Sequence, residues 1–155
     1  MIGRLFDRLR DIRRQRVWSS DQAQGRRGED LAHRYLRKRG FTIVARNCRL
    51  AAGDAEADII AHDNGELVIV EVKSRATSEF GPPDRAIGEE KRAALIRVAR
   101  AYAKKSGTPL ENVRFDVVSV ILSRPPAIKH HRGAFGFAKQ SWDASHANMG
   151  TRRES

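Results

Sequence analysis

The dipeptide Asn64-Gly65, set between the apolar-rich runs 56–62 and 67–74, constrains this chain more than any other local feature. A two-residue type I′ turn needs positive φ at both positions, which Asn and Gly tolerate, so the two runs are expected to pair as an antiparallel hairpin. Counting outward from that turn, Asp58 is set opposite Glu71 and Glu56 opposite Lys73. Side chains alternate faces along a strand, so Glu56, Asp58 and Ile60 are expected on the face shared by Ile69, Glu71 and Lys73. Leu67 and Ile69 make that face apolar before the charges begin, while Val68, Val70 and Val72 make the other face apolar too. A strand apolar on both faces is central and covered, which places the charges at its end in a cleft. A three-residue loop with a bulge would instead set Asp58 against Val70 and disperse the group.

Directly opposed side chains have Cβ atoms about 4.5–5.5 Å apart, and like charges so placed are destabilising. A divalent cation between Asp58 and Glu71 would relieve this. The two carboxylates and the carbonyl of Val72 supply part of the oxygen shell of Mg2+ (or Mn2+), with water and a substrate phosphate taking the rest. Lys73 would then orient an attacking water or neutralise charge building on the phosphate. The competing reading is a solvated sheet face on which Glu71 and Lys73 are salt-bridged across to Glu56 and Asp58. Glu29 is open to two readings, an acid reaching the same cleft or a helix-N-terminal acid favoured by the macrodipole. Lys91 interrupts an apolar helical stripe, and either points at a bound phosphate or snorkels from a packed face. Asp116 and the adjacent His130 and His131 read as surface or structural, since neighbouring strand residues face opposite ways.

Around the hairpin, residues 22–39 carry Leu31, Ala32, Tyr35 and Leu36 on one helical face before Gly40, a suitable stop. Residues 41–50 read as a strand, 75–84 with Gly81-Pro82-Pro83 as a loop, and 86–105 as a second helix ended by Ser106-Gly107. Residues 113–122 form a further strand, and 127–130 are a candidate for a short one after Pro125-Pro126. The expected order is α-β-β-β-α-β, an α/β mixed sheet flanked by helices. Residues 1–17 place Ile2, Leu5, Phe6, Leu9 and Ile12 at helical spacing among arginines. That basic amphipathic segment is open to membrane, phosphate or partner-helix contact, or to being a loosely ordered extension. The expected organisation is an extension over 1–21, one domain over 22–137 and a disordered tail over 138–155.

At 155 residues and 40% hydrophobic, the chain has material for one core and not two. Its net charge of +11 calls for an anionic partner. Residues 1–27 hold 8 Arg against 3 Asp, and residues 28–137 hold 19 basic against 14 acidic side chains, so the excess is not confined to the terminus. One cysteine, Cys48, excludes an internal disulfide and a multi-cysteine zinc site, and suits a reducing compartment. No apolar run reaches transmembrane length, and the N-terminus lacks the apolar stretch of a secretory signal, so a cytoplasmic protein is expected.

Gly28-Glu29, Arg46-Asn47, the run Glu56-Ala57-Asp58-Ile59-Ile60-Ala61, the run Glu71-Val72-Lys73-Ser74-Arg75, Gly81, Ala86-Ile87, Lys91, Tyr102 and Arg114-Phe115-Asp116-Val117-Val118 occur in this order. Together they resemble the YraN-like uncharacterised bacterial family of the PD-(D/E)XK, or restriction-endonuclease-like, nuclease superfamily, which is similar to archaeal Holliday-junction resolvases. The likeness runs from about residue 25 to Phe137. It implies a restriction-endonuclease-like sheet, Asp58 and Glu71 as metal-binding acids, Lys73 as the catalytic lysine and Glu29 as a helix-borne catalytic acid. Arg75 and Lys91 are the candidates for nucleic-acid contact, and a homodimer is expected because resolvase-like enzymes act as dimers. Ala57 stands where the superfamily's name has proline, and Ala55-Glu56 replaces the family's Gly-Glu. The expected function is magnesium-dependent hydrolysis of phosphodiester bonds in DNA, including branched DNA. The alternative is a catalytically silent nucleic-acid-binding or assembly module on the same fold. A membrane-peripheral role through residues 1–17 is a third reading.

Overall fold

The computed structural model describes residues 20–76 and 87–137. The expectations for the amphipathic segment 1–17, for most of the loop 75–84 and for the tail 138–155 lie outside the described residues. In chain order the elements are helix α1 (Ser20–Lys38), strands β1 (Thr42–Arg49), β2 (Glu56–Asp63) and β3 (Glu66–Arg75), helix α2 (Glu89–Ser106), a single 3-10 turn (Leu110–Asn112), and strands β4 (Val113–Ile121) and β5 (Ala127–Phe135).

The hairpin forms as its turn residues dictate. Asn64 and Gly65 both take positive φ, 49° and 84°, and Asp63 stands opposite Glu66. A right-handed crossover through a helix is the usual way to bring a following strand parallel in the same sheet. Here α2 supplies the connection, and β4 runs parallel to β3, Leu67 opposite Val113 through Arg75 opposite Ile121. The five strands lie in sequence order with every other pair antiparallel, giving the mixed sheet of a restriction-endonuclease-like fold.

Among the described residues one helix covers each face. On one side Ala32 and Leu36 of α1 pack with Ile59, Ala61, Val68, Val70, Val72, Val118 and Val120. On the other, Leu95, Val98 and Ala99 of α2 pack with Ile60, Leu67, Ile69, Phe115 and Val117. Leu67 to Val72 are therefore all buried, and β3 is the covered central strand its composition predicts.

Two boundaries differ from expectation. The strand expected over 127–130 continues to Phe135, held by pairing with β4 and by Phe135 stacking on Phe115 at 4.7 Å. Helix α2 begins after an extended Gly88, so Ile87 enters the core from outside the helix. Among the described residues no helix is long and apolar enough to cross a membrane.

Candidate functional site

The β2–β3 ladder keeps the expected register as far as Ile59 opposite Val70 and ends there. At the next position the Asp58 carboxylate meets β3 in place of the backbone, with Oδ2 accepting the Val72 N–H at 2.7 Å. Strict alternation would send Ala57 and Ile59 to one face, yet Ala57 packs with Ile60 on the α2 side and Ile59 packs on the α1 side. Strand β1 shows the matching break. Ala45 and Cys48 both pack on the α2 side, with Asn47 between them at φ 48°. The left-handed Asn47 re-aims β1, as a bulge does. The strand pair changes faces at Asn47 and Asp58, and β2 and β3 part there.

The parting opens a cleft of about 340 Å³ between the sheet and the first half of α1, lined by Gln24, Gly25, Glu29, Asp58, Glu71, Val72 and Ser74. Three carboxylates thus share it. Glu71 is 4% exposed. Burial pushes the Asp58 carboxyl up to about 7; the Glu71 charge beside it adds to the rise and the Val72 N–H opposes it. Burial also raises Glu29, against the pull of Arg46, whose guanidinium is 4.0 Å away, and of the Asn47 side chain.

Two ammonium groups flank Glu71. Lys73 Nζ is 3.3 Å from Oε1, and Lys91 Nζ, arriving from α2, is 3.2 Å from Oε2. Lys91 also donates to the Glu56 carbonyl oxygen at 3.2 Å. Glu71 Oε2 nevertheless makes no hydrogen bond, since the Lys91 ammonium is within ion-pair range but off the directions a hydrogen bond requires.

Asp58, Glu71, Glu29 and Val72 are thus brought together in the cleft, with Lys73 on Glu71 and Arg75 exposed at the end of β3. Glu56 is not part of the group. Its strand partner is Arg49, whose Nε is 2.7 Å from its carboxylate, so the expected pairing with Lys73 is replaced by one across β1. Lys91 holds Glu71 rather than standing free for a phosphate. Among the described residues no three His, Cys, Asp or Glu side chains gather as a cation-holding group.

Sequence reasoning missed the residue that sets α1 against the cleft. A Cβ on Gly28 would lie 1.6 Å from Ser74 Oγ and 2.7 Å from Ser74 Cβ, so the helix is pressed onto β3 immediately before Glu29. In a helix interior Gly→Ala gains up to about 1 kcal/mol. Overpacking costs about 1–3 kcal/mol and should win here. Gly28→Ala is expected to lower folding stability by that net amount, read as a lower urea midpoint at unchanged m-value, and Gly28→Ala combined with Ser74→Gly to recover most of it.

A second polar group sits at the other end of the sheet. Asp116, 1% exposed, accepts from Arg114 Nε at 2.9 Å and from the Gly133 N–H at 3.0 Å through Oδ1, while His130 Nε2 lies 2.8 Å from Oδ2. Arg114 continues to Asp63 at 2.8 Å and to Glu66, and Arg132 reaches Asp63 at 2.6 Å. This ties the hairpin turn to β4 and β5, a structural role for Asp116 and His130. His131, next along β5, is half-buried, and its Nε2 is enclosed without a hydrogen bond.

The model of a family described as "Uncharacterised protein family UPF0102" matches residues 28–120, which contain every residue of the cleft except Gln24 and Gly25. A UPF0102 protein of Solibacter usitatus is 48% identical over 135 residues, covering 87% of this chain and 100% of the relative. One of Koribacter versatilis is 46% identical over 114 residues, 72% of this chain and 78% of the relative. One of Persephonella marina is 40% identical over 112 residues, 72% of this chain and 92% of the relative.

Proposed function

The chain belongs to the uncharacterised protein family UPF0102, and on that premise we propose that it is a nucleic-acid-binding protein built on a nuclease architecture, with DNA as its partner. The observations that support this reading are the net charge of +11 and the exposed arginines that adjoin the cleft lining in sequence. Exposed Arg26 and Arg27 follow the cleft-lining Gly25, and exposed Arg75 follows the cleft-lining Ser74. Of the carboxylates on the floor, Glu71 is answered by Lys73 and Lys91 within the protein. A phosphate backbone would then track the arginine rim, in a contact that is electrostatic and needs no cation.

Neutralising a phosphate releases condensed counterions, so log affinity falls with log salt by about 0.9 per contact on B-form DNA. The triple variant Arg26→Ala, Arg27→Ala, Arg75→Ala is expected to bind a fluorescent duplex more weakly and to reduce the salt slope by about 2–3. An unchanged slope would place the contact elsewhere on the protein.

A second reading, metal-dependent phosphodiester hydrolysis, is favoured by one specific feature: the buried Glu71 Oε2 without a hydrogen bond, next to an Asp58 whose carboxyl is raised partly by the Glu71 charge. Such a like-charge pair of hard oxygen donors fits Mg2+ or Mn2+ chemically, with Asp58, Glu71 and the Val72 carbonyl as the groups that would hold it. The bound ion would supply charge neutralisation and acidify a water. Lys73 would place its ammonium by the scissile phosphate, and Glu29 would accept a proton from the cleft's water, as its raised pKa suits it to do. Cleavage of branched or duplex DNA in Mn2+ that is lost in Asp58→Ala would support hydrolysis; equal cleavage by that variant would reject it.

A further inference from the structure

We propose that Lys91 is a tethered counter-ion that competes with a divalent cation for Glu71, so that α2 sets how readily the cleft takes one. The inference rests on reading Asp58 and Glu71 as cation ligands, and it assigns that site its regulation.

Three observations on different elements converge on it. Lys91 belongs to α2, on the opposite side of the sheet from the α1-walled cleft, yet its ammonium reaches Glu71 Oε2, at 3.2 Å, past the point where β2 and β3 part. It is anchored by donation to the Glu56 carbonyl oxygen at 3.2 Å, which fixes where the charge sits. The oxygen it faces is buried and makes no hydrogen bond, so the pairing is one of charge alone. Lys73 differs, because it comes from the same strand as Glu71 and contacts the other oxygen, Oε1.

An ammonium and a divalent cation seeking one buried oxygen exclude each other by charge and by volume. The lysine is covalently attached, so its local concentration is high whatever the solution holds. A cation enters only when Lys91 swings off Glu71, and any ligand that draws Lys91 away, such as a phosphate group at the α2 side of the cleft, opens the site to it. In this arrangement nucleic acid and cation bind with positive coupling.

The test is Mn2+ binding measured calorimetrically and by electron paramagnetic resonance on the wild type, Lys91→Met and Glu71→Gln, without nucleic acid. Methionine keeps the apolar stem and removes the charge. Lys91→Met is expected to bind Mn2+ about tenfold or more tightly than the wild type, in the range by which neighbouring groups tune metal sites, and Glu71→Gln to lose that binding. Equal affinity in Lys91→Met and wild type, with loss in Glu71→Gln, would overturn the role of Lys91 while keeping Glu71 as a ligand. Absence of Mn2+ binding in all three would overturn the cation reading and the proposal with it.

Should Lys91→Met fail to fold, the wild type itself decides. Its lysines can be reductively methylated with 13C-formaldehyde, which preserves their charge, and the Lys91 resonance followed as diamagnetic Mg2+ is added. A saturable shift of that signal supports displacement; a Lys91 signal unmoved by Mg2+ overturns it.

Discussion

Replacing Asp116 with alanine should remove about 3–5 kcal/mol of folding stability, because it takes away a fully buried carboxylate and leaves the Arg114 guanidinium with Asp63 and Glu66 only. Arg114 has only 13% of its side chain exposed, and Asp116 none. The same substitution deprives the Gly133 N–H and His130 of their acceptor, loosening β5 from β4. The surface pair Arg97 with Asp54, 48% and 58% exposed, provides the contrast. Asp54→Ala should cost less than about 1 kcal/mol. Chemical denaturation of both variants gives the comparison directly.

The Asp116 network also has a pH signature. Burial pulls the Asp116 carboxyl upward, but hydrogen bonds from His130, Arg114 and Gly133 outweigh it and hold the group below the usual carboxylate range. Asp63 is held low chiefly by its hydrogen bond from Arg114. A depressed acid stabilises the fold above its unfolded pKa, near 4, and that contribution disappears as pH falls through the folded value. The acid limb below about pH 4 should therefore be shallower in Asp116→Ala than in the wild type.

Asp58→Asn is expected to act in the opposite sense and stabilise the protein, by about 2–4 kcal/mol at pH 8. The folded carboxyl is pushed up to about 7, by burial first and by Glu71 second. Between an unfolded pKa near 4 and that value the folded state binds the extra proton, so stability falls as pH rises and levels off above about 7. The asparagine oxygen can still accept the Val72 N–H while carrying no charge, which removes the penalty without removing the bond. Wild type and variant should coincide near pH 4 and diverge upward, a window separate from that of Asp63 and Asp116. A pH-independent difference would mean that Asp58 bears no raised pKa. An acid kept at such cost is what a binding or catalytic cleft requires of its scaffold.

Much of the fold was legible because its determinants are local. Asn64-Gly65 announces its turn through the positive φ both residues adopt, and the turn fixes the register as far as Ile59 and Val70. The unbroken apolar run from Leu67 to Val70 announces a strand covered on both faces. Of the cleft's lining, Glu29, Asp58, Glu71 and Val72 were legible, whereas Gln24, Gly25, Ser74 and the shape were not. Extending the hairpin register to Glu56 and Lys73 assumed that β2 and β3 stay paired, whereas they part at Asp58. Beside that point on β1 stands Asn47, a residue equally at home in a strand or in the left-handed region, whose choice is settled only by its neighbours in the sheet. Lys91 was visible as a break in an apolar stripe, but its partner is 20 residues away on another element, and only the assembled sheet brings them together. The length of β5 was hidden by Lys129, Arg132 and Gly133, which interrupt any apolar period and are tolerated on an edge strand.

The central claim is that the rim of the cleft binds nucleic acid through charge and does not require a bound cation. Fluorescence anisotropy of the full chain with duplex and four-way-branched DNA, titrated in EDTA and again in Mg2+ at several salt concentrations, tests it most directly. Binding in EDTA with log affinity falling linearly against log salt is the predicted result. Absence of binding in EDTA at low salt, with affinity appearing only when Mg2+ is added, would contradict it.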